Sequence, residues 1–364
     1  MKIAFIVRAT LFTVQGGDTI QVLNTAKYLR KTGIDVDIKL TTDAIAYDAY
    51  DLLHFFNIIR PADILIHIES SQKAFVVSTV FVEYDEFEKR YRRGIAGVIF
   101  RFLPADTIEY VKVVARAIRS GEKISSRKYL WLGQRGSIKK IVKQSAWLLP
   151  NSESEYRRLV DRYHVEKDHT VVPYAVDETI FKNQGSKKRN EQMVLCVARI
   201  EGRKNQLNLI RALNGTRFQL YLVGDPAPHH MSYFHECQKQ AGNNIHFVRQ
   251  VSQAELVEYY SKAKVHVLAS WFETAGLSSL EAAAMGCNVV ITRKGDAHEY
   301  FGDEAEYCDP ASPTSIREAI ERAASSEPNL LLQQKIYSDF TWSKAASRTF
   351  EAYTAALNLC ESQS

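Results

Sequence analysis

The sequence predicts an α/β protein built of two Rossmann-like domains facing each other across a cleft. Three observations carry that expectation. Short apolar stretches alternate with amphipathic ones along the chain, the pattern of parallel sheets covered by helices. A length of 364 residues accommodates two cores of ordinary size. Between the halves, Lys182-Asn183-Gln184-Gly185-Ser186-Lys187-Lys188-Arg189-Asn190 is polar throughout and lacks apolar periodicity, which marks a linker. The predicted domains are 1–182 and 190–340, with a tail from about Thr341 to Ser364 that can cross back as a helix onto the first.

Composition narrows the function classes. An apolar fraction of 46% and a charged fraction of 24% belong to a soluble globular protein. No apolar run approaches the roughly 20 residues that span a bilayer. Met1-Lys2-Ile3-Ala4-Phe5-Ile6-Val7-Arg8 is too short and too soon charged for a secretory leader, and reads as the first core strand. Five cysteines without any Cys-x-x-Cys suit a reducing cytosol and argue against disulfides and zinc. A net charge of +5 does not imply nucleic acid.

In the first half, strands are expected near 2–7, 34–40, 52–56, 63–68, 75–82 and 145–149. After the first strand come Gly16 and Gly17, then a helix with Val22, Ala26 and Leu29 inward and a stop at Gly33. A glycine pair there permits close backbone approach to a ligand, and a plain turn is the competing reading. The spacing is not G-x-G-x-x-G, which argues against a dinucleotide enzyme. Asp35-Val36-Asp37 resembles a metal motif, yet Ile34, Val36, Ile38 and Leu40 alternate with Asp35, Asp37 and Lys39 as in a half-buried strand. The metal reading is rejected. His54 reads as a core-edge histidine.

Residues 86–143 carry fifteen Lys and Arg against five acids, interleaved with apolar residues. Ile108, Val111, Ala115 and Ile118 would form one stripe, with Lys112, Arg116 and Arg119 opposite. Such a segment, 89–143, can lie on an anionic membrane surface, or its stripe can pack on its own sheet while the cations are solvated.

In the second half, strands are expected near 193–198, 217–223, 245–248, 264–269 and 288–292. The first runs into Arg199-Ile200-Glu201-Gly202-Arg203-Lys204-Asn205, then a helix with Leu207, Ile210 and Leu213 on one face. Arg199 and Lys204 thus occupy a strand-to-helix loop, where cations beside helix N–H groups suit a diphosphate. Lys264–Ala269 reads as a buried strand, and Ala275–Met285 as a helix packing through Leu277, Leu280, Ala284 and Met285, stopped by Gly286. Glu273 therefore sits in a turn beside Gly276, and Glu281 on the helix that follows. Acid pairs at this spacing arise about five times by chance in such a composition, so the flanking strand and helix carry the signal. Open α/β sheets bind ligands at such turns. A carboxylate at Glu281 can accept from both hydroxyls of a ribose, and one at Glu273 can hold sugar hydroxyls.

Arg199 with Lys204, then Phe272-Glu273-x-x-Gly276-Leu277 ending in Glu281-Ala282, resembles the retaining GT-B glycosyltransferases of family 4, glycosyl transferases group 1. The likeness covers most of 190–310. It implies a metal-independent enzyme without a cofactor, moving a hexose-type sugar with retention from a UDP- or GDP-linked donor to a glycan or lipid-linked glycan, as in surface polysaccharide biosynthesis. It implies that Arg199 and Lys204 bind the donor diphosphate, Glu281 the ribose, and Glu273 with the Gly276-Leu277-Ser278 backbone the sugar and phosphate. Catalysis would rest on Glu273, Arg199 and Lys204. Val251 falls where relatives hold the base, and Gly16 and Gly17 where relatives keep a Gly-Gly loop near the donor. Many relatives carry a histidine after a later strand of the first domain, but Ser78–Glu86 has none. Glu83 and Asp85 stand there as candidates to orient or deprotonate the acceptor hydroxyl. The expected location is the cytoplasm, peripheral at the inner face of the membrane if 89–143 meets lipid. The competing readings are a nucleotide-sugar epimerase or phosphorylase on the same architecture, and a non-catalytic partner subunit.

Overall fold

The computed structural model describes residues 1–14, 16–83, 103–120, 126–182 and 189–363. The chain divides into two compact units, Met1–Pro173 with Trp342–Ser364, and Tyr174–Thr341. The division falls at Pro173, ahead of the polar stretch 182–190 from which the linker was inferred.

The first unit begins with β1 (Lys2–Val7), α1 (Gly17–Lys31), β2 (Asp35–Leu40), β3 (Leu52–Phe56), α2 (Pro61–Ser70) and β4 (Phe75–Ser78). It continues with α3 (Ala105–Ser120), α4 (Arg127–Gln144), β5 (Trp147–Leu149) and α5 (Glu153–Tyr163). The strands form a five-stranded sheet in the order β2-β1-β3-β4-β5, all pairs parallel. Near-continuous apolar strands such as Leu52–Phe56, buried along their whole length, are what a sheet covered on both faces requires. Val22, Ala26 and Leu29 of α1 are all fully buried.

Residues 63–68, expected as a strand, lie inside α2. Pro61 at its N-terminus pre-sets helical φ, and a short apolar run does not by itself distinguish helix from strand. The strand expected to reach 82 ends at Ser78. Of the stripe expected on α3, Ile108 faces the core beside Tyr110 and Val113, Val111 and Ala115 are exposed, and the side chain of Ile118 lies outside the described residues.

The second unit contains β6 (Asn190–Val197), α6 (Gln206–Leu213), β7 (Gln219–Val223), α7 (Met231–Gln240), β8 (Ile245–Val248), α8 (Gln253–Lys262), β9 (Ala263–Leu268) and α9 (Leu277–Ala284). β10 (Asn288–Thr292), α10 (Ala297–Phe301), β11 (Glu306–Cys308), α11 (Pro313–Ser325) and α12 (Leu330–Asp339) complete it. Its six strands run β11-β10-β9-β6-β7-β8. Numbered within the unit, that is the doubly wound order in which direction reverses between the first and fourth strands. β11 was not anticipated; three residues give too short an apolar signal.

The final helix, α13 (Trp342–Gln363), belongs to the first unit. Tyr353 at its middle is fully buried, its hydroxyl 2.6 Å from His54 Nδ1, while His54 Nε2 lies 2.8 Å from Ser78 Oγ. Both nitrogens of this strand histidine are thus satisfied inside the core, and burial pushes its pKa down to about 3. It stays neutral and structural.

Candidate active site

The second sheet reverses its strand order between β6 and β9, and ligands of open α/β sheets sit outside the carboxyl ends of strands at such a point. Arg199 and Lys204 follow β6, and Glu273 follows β9. The fold therefore delivers these three to the same sheet edge. Lys204 Nζ lies 2.6 Å from Glu273 Oε1, and the Ser270 hydroxyl donates to that oxygen at 2.6 Å. Glu273 retains 5% exposure, so its charge is answered by Lys204 rather than by water.

Arg199 is placed differently. Its Nη2 stands 3.7 Å from Glu201 Oε1, and Arg203 Nη2 stands 3.6 Å from Glu201 Oε2. The Arg199 side chain keeps 43% exposure while Glu201 keeps 5%. A buried carboxylate thus braces two outward guanidiniums in the loop. Glu201 and Arg203 were missed as partners because a charged loop resembles a solvated one in sequence.

Backbone bonds stitch these turns together. Trp271 N donates to Arg203 O at 3.0 Å, tying the turn after β9 to the loop after β6. Asn205, left-handed at φ 60°, spans the same gap by donating its side-chain amide to Ala269 O at 2.9 Å and Pro310 O at 2.8 Å. Glu273 N donates to Lys294 O at 3.0 Å, and Asp296 N to Glu273 O at 2.8 Å. Gly295 makes that last clasp possible. It sits at φ +101°, and a Cβ there would fall 2.0 Å from Glu273 O. Gly224 plays the corresponding role for the loop after β6, since its Cβ would fall 2.2 Å from Ala198 O. Neither glycine carried a sequence signal, because the approach comes from a strand distant in the chain.

α9 starts at Gly276, and the first N–H groups of a helix have no partner within it. Ser278 Oγ donates to Val197 O at 2.8 Å, which fastens the first turn of α9 to the end of β6. Leu277, expected in the core, is only half-buried, whereas Leu280, Ala284 and Met285 are buried. Further along, Glu281 Oε2 accepts from the Tyr260 hydroxyl at 2.9 Å. Burial raises the Glu281 pKa to about 7, and the Tyr260 bond opposes that rise. Tyr260 is itself fixed: Arg189 Nη1 and the Cys287 thiol donate to its carbonyl at 2.8 and 3.1 Å. Tyr260 escaped the sequence reading because its partner lies on the following helix. Val251 is half-buried just before Ser252, whose hydroxyl and Glu255 form the N-terminal capping box of α8.

Among the described residues, those expected of the first unit do not form a comparable cluster. Gly16 and Gly17 open α1, where Thr19 Oγ1 accepts from Gly16 N at 3.1 Å. Arg8, unremarked in sequence, holds this loop: it donates to Asp18 Oδ2 at 2.6 Å, Thr10 O at 2.8 Å and Val14 O at 2.7 Å. Glu83 Oε1 accepts from Arg162 Nη1 at 2.9 Å, and Arg158 Nε lies 3.6 Å from Oε2, both within its own unit. Asp85 lies outside the described residues. No helix among the described residues is long and apolar enough to cross a membrane.

Comparison with known proteins accords with this geometry. Residues 177–338 match the family described as glycosyl transferases group 1. A D-inositol 3-phosphate glycosyltransferase of Corynebacterium aurimucosum is 24% identical over 94% of this chain and 92% of its own. An MMP alpha-(1->4)-mannosyltransferase of Mycolicibacterium hassiacum is 22% identical over 94% and 91%. In fold, the chain is similar to a sucrose-phosphate synthase from Thermosynechococcus elongatus, at TM-score 0.74 and 16% identity over 97% of this chain and 98% of the other. Anabaena HepE, solved with UDP and glucose, is similar at TM-score 0.64 and 15% identity over 100% and 99%.

Proposed function

We propose that this chain, whose residues 177–338 match the glycosyl transferases group 1 family, is a GT-B glycosyltransferase that moves a hexose-type sugar from a UDP- or GDP-linked donor to a glycan or lipid-linked glycan, with retention and without a divalent metal ion, in the building of a surface polysaccharide. The observation that carries the reading is the Lys204–Glu273 pair at the point where the second sheet reverses its strand order, 2.6 Å apart.

Breaking the bond between sugar and phosphate leaves a nucleoside diphosphate whose negative charge grows as the bond lengthens. Arg199, held outward by Glu201, and Lys204, held by Glu273, are positioned in advance to receive that charge. The first N–H groups of α9, at Leu277 and Ser278, add partial positive charge beside Gly276. Such fixed cations and dipoles can supply the stabilisation that a metal ion gives on other folds. Glu273 orients the sugar hydroxyls, Glu281 takes the ribose, and Val251 borders the base. Tyr260 holds the Glu281 carboxyl in place by its hydrogen bond, while burial raises the Glu281 pKa to about 7. HepE, which binds UDP, and the two relatives named above, which are glycosyltransferases by name, support a nucleotide-sugar donor.

A thermal-shift panel with UDP, GDP, ADP and CMP tests the donor class, because a ligand bound only by the native state raises its melting temperature. UDP or GDP is expected to raise it. A panel in which all four leave the melting temperature unchanged contradicts the reading.

A further inference from the structure

The start of α4 presents an anomaly that the sugar chemistry does not use. Tyr129 is fully buried, but the next three residues point outward: Leu130 is 46% exposed, Trp131 92% and Leu132 40%. Three consecutive exposed apolar side chains, one of them an almost bare indole, are unusual on a soluble surface. The projection is held rather than loose. Tyr129 donates its hydroxyl to Gln134 Oε1 at 2.8 Å, Gln134 donates on to Ile59 O at 2.9 Å, and the Tyr110 hydroxyl reaches Leu130 O at 3.2 Å. At Gly133 the backbone leaves helical geometry. Val111 of the adjacent α3 adds a further apolar side chain at 42% exposure.

The charges around it are one-sided. Within Arg127–Gln144 the chain carries Arg127, Lys128, Arg135, Lys139, Lys140 and Lys143, and no acid. Of the acids that approach, Glu109 of α3 is 44% exposed and is paired with Lys112 at 2.8 Å, while Glu69 and Asp106 lie beneath cations. Lys128 is 57% exposed over Glu69 at 23%, and Arg135 is 45% exposed over Asp106 at 18%, each pair 3.5 Å apart. The outward face is therefore apolar at its centre and positive at its rim.

We propose that Leu130, Trp131 and Leu132, rimmed by Arg127, Lys128 and Arg135, form a docking surface for an anionic lipid bilayer. Tryptophan favours the level of the headgroups, where its ring leaves water while its N–H stays wet. Each cation near an anionic leaflet gains from its surface potential. A second copy of this chain fits less well, since a two-fold interface would set the same cations against one another. The surface belongs to the first unit, so the inference stands apart from the donor assignments.

The test is sedimentation of the full-length protein with vesicles of phosphatidylcholine alone and of phosphatidylcholine mixed with phosphatidylglycerol. The parent should sediment with the mixed vesicles only, and added salt should release it. Trp131→Ala should weaken that binding about tenfold or more while leaving the melting temperature and nucleotide affinity unchanged. Charge reversal at Arg127 and Lys128 should abolish it. Failure of the parent to bind, or equal binding by Trp131→Ala, overturns the proposal. So does a parent dimer that Trp131→Ala converts to monomer.

Discussion

The carboxyl edges of the two sheets handle buried charge in opposite ways. At the second sheet, carboxylates brace cations that reach outward, Glu201 beneath Arg199 and Glu273 beside Lys204. At the first sheet, the most deeply buried carboxylate is spent on its own scaffold. Glu155, fully buried, accepts from the Thr79 hydroxyl, from Phe81 N at 2.8 Å, and from Asn151 N and Nδ2 at 3.1 and 3.0 Å. That network clamps Val80, a β-branched residue at φ +44°, a conformation that persists only when its surroundings impose it. One edge holds cations against buried carboxylates. The other uses charge to hold a strained turn.

If that contrast is right, equivalent disruptions should separate activity from stability. Lys204→Ala is expected to cut turnover about a hundred- to a thousandfold, or roughly 2.7–4 kcal/mol of transition-state stabilisation, in protein that circular dichroism shows to be folded. Turnover close to that of the parent would break the contrast at the second edge. Glu155→Ala should leave four donors without their acceptor and lower stability by about 2–4 kcal/mol in urea denaturation, with nucleotide affinity unchanged. A loss of nucleotide affinity without loss of stability would break it at the first.

The smallest effect expected concerns pH. Folding raises the Glu281 pKa from the ordinary 4.5 to about 7, so between those values the folded state binds the extra proton. Its contribution to stability is therefore most favourable below about pH 4.5 and falls as pH rises through 7, where the charge must be carried in a desolvated site. Glu281→Gln removes that cost. The variant should be more stable than the parent by about 2–3 kcal/mol at pH 8, with the gap shrinking as pH falls toward 5. A gap independent of pH would show that burial does not shift this carboxyl.

Much of the second edge was legible because its strands are near-continuous apolar runs, which fixes where each loop begins. That placed Arg199, Lys204 and Glu273 in the loops at this edge, while the roles expected of them came from the family resemblance. What was not legible came from contacts distant in sequence. Gly295 and Gly224 are required by backbone atoms of other loops, and Tyr260 by a carboxylate on the next helix. In the first unit, Arg8 read as the end of a strand, although its guanidinium organises the loop that follows. Residues 63–68 misled because Ile64, Leu65, Ile66 and Ile68 suit either period. Around Glu83, the guanidiniums of Arg158 and Arg162 were likewise invisible in the sequence, because they come from α5.

The central claim is that the cations after β6 receive the donor's phosphates. A crystal structure of the protein with its nucleotide-sugar, with the phosphorus atoms located, measures this directly. The account predicts both phosphates within hydrogen-bond reach of Arg199 and Lys204 and the ribose against Glu281. Phosphorus atoms placed away from those two side chains, or bridged to the protein by a divalent ion, would contradict it.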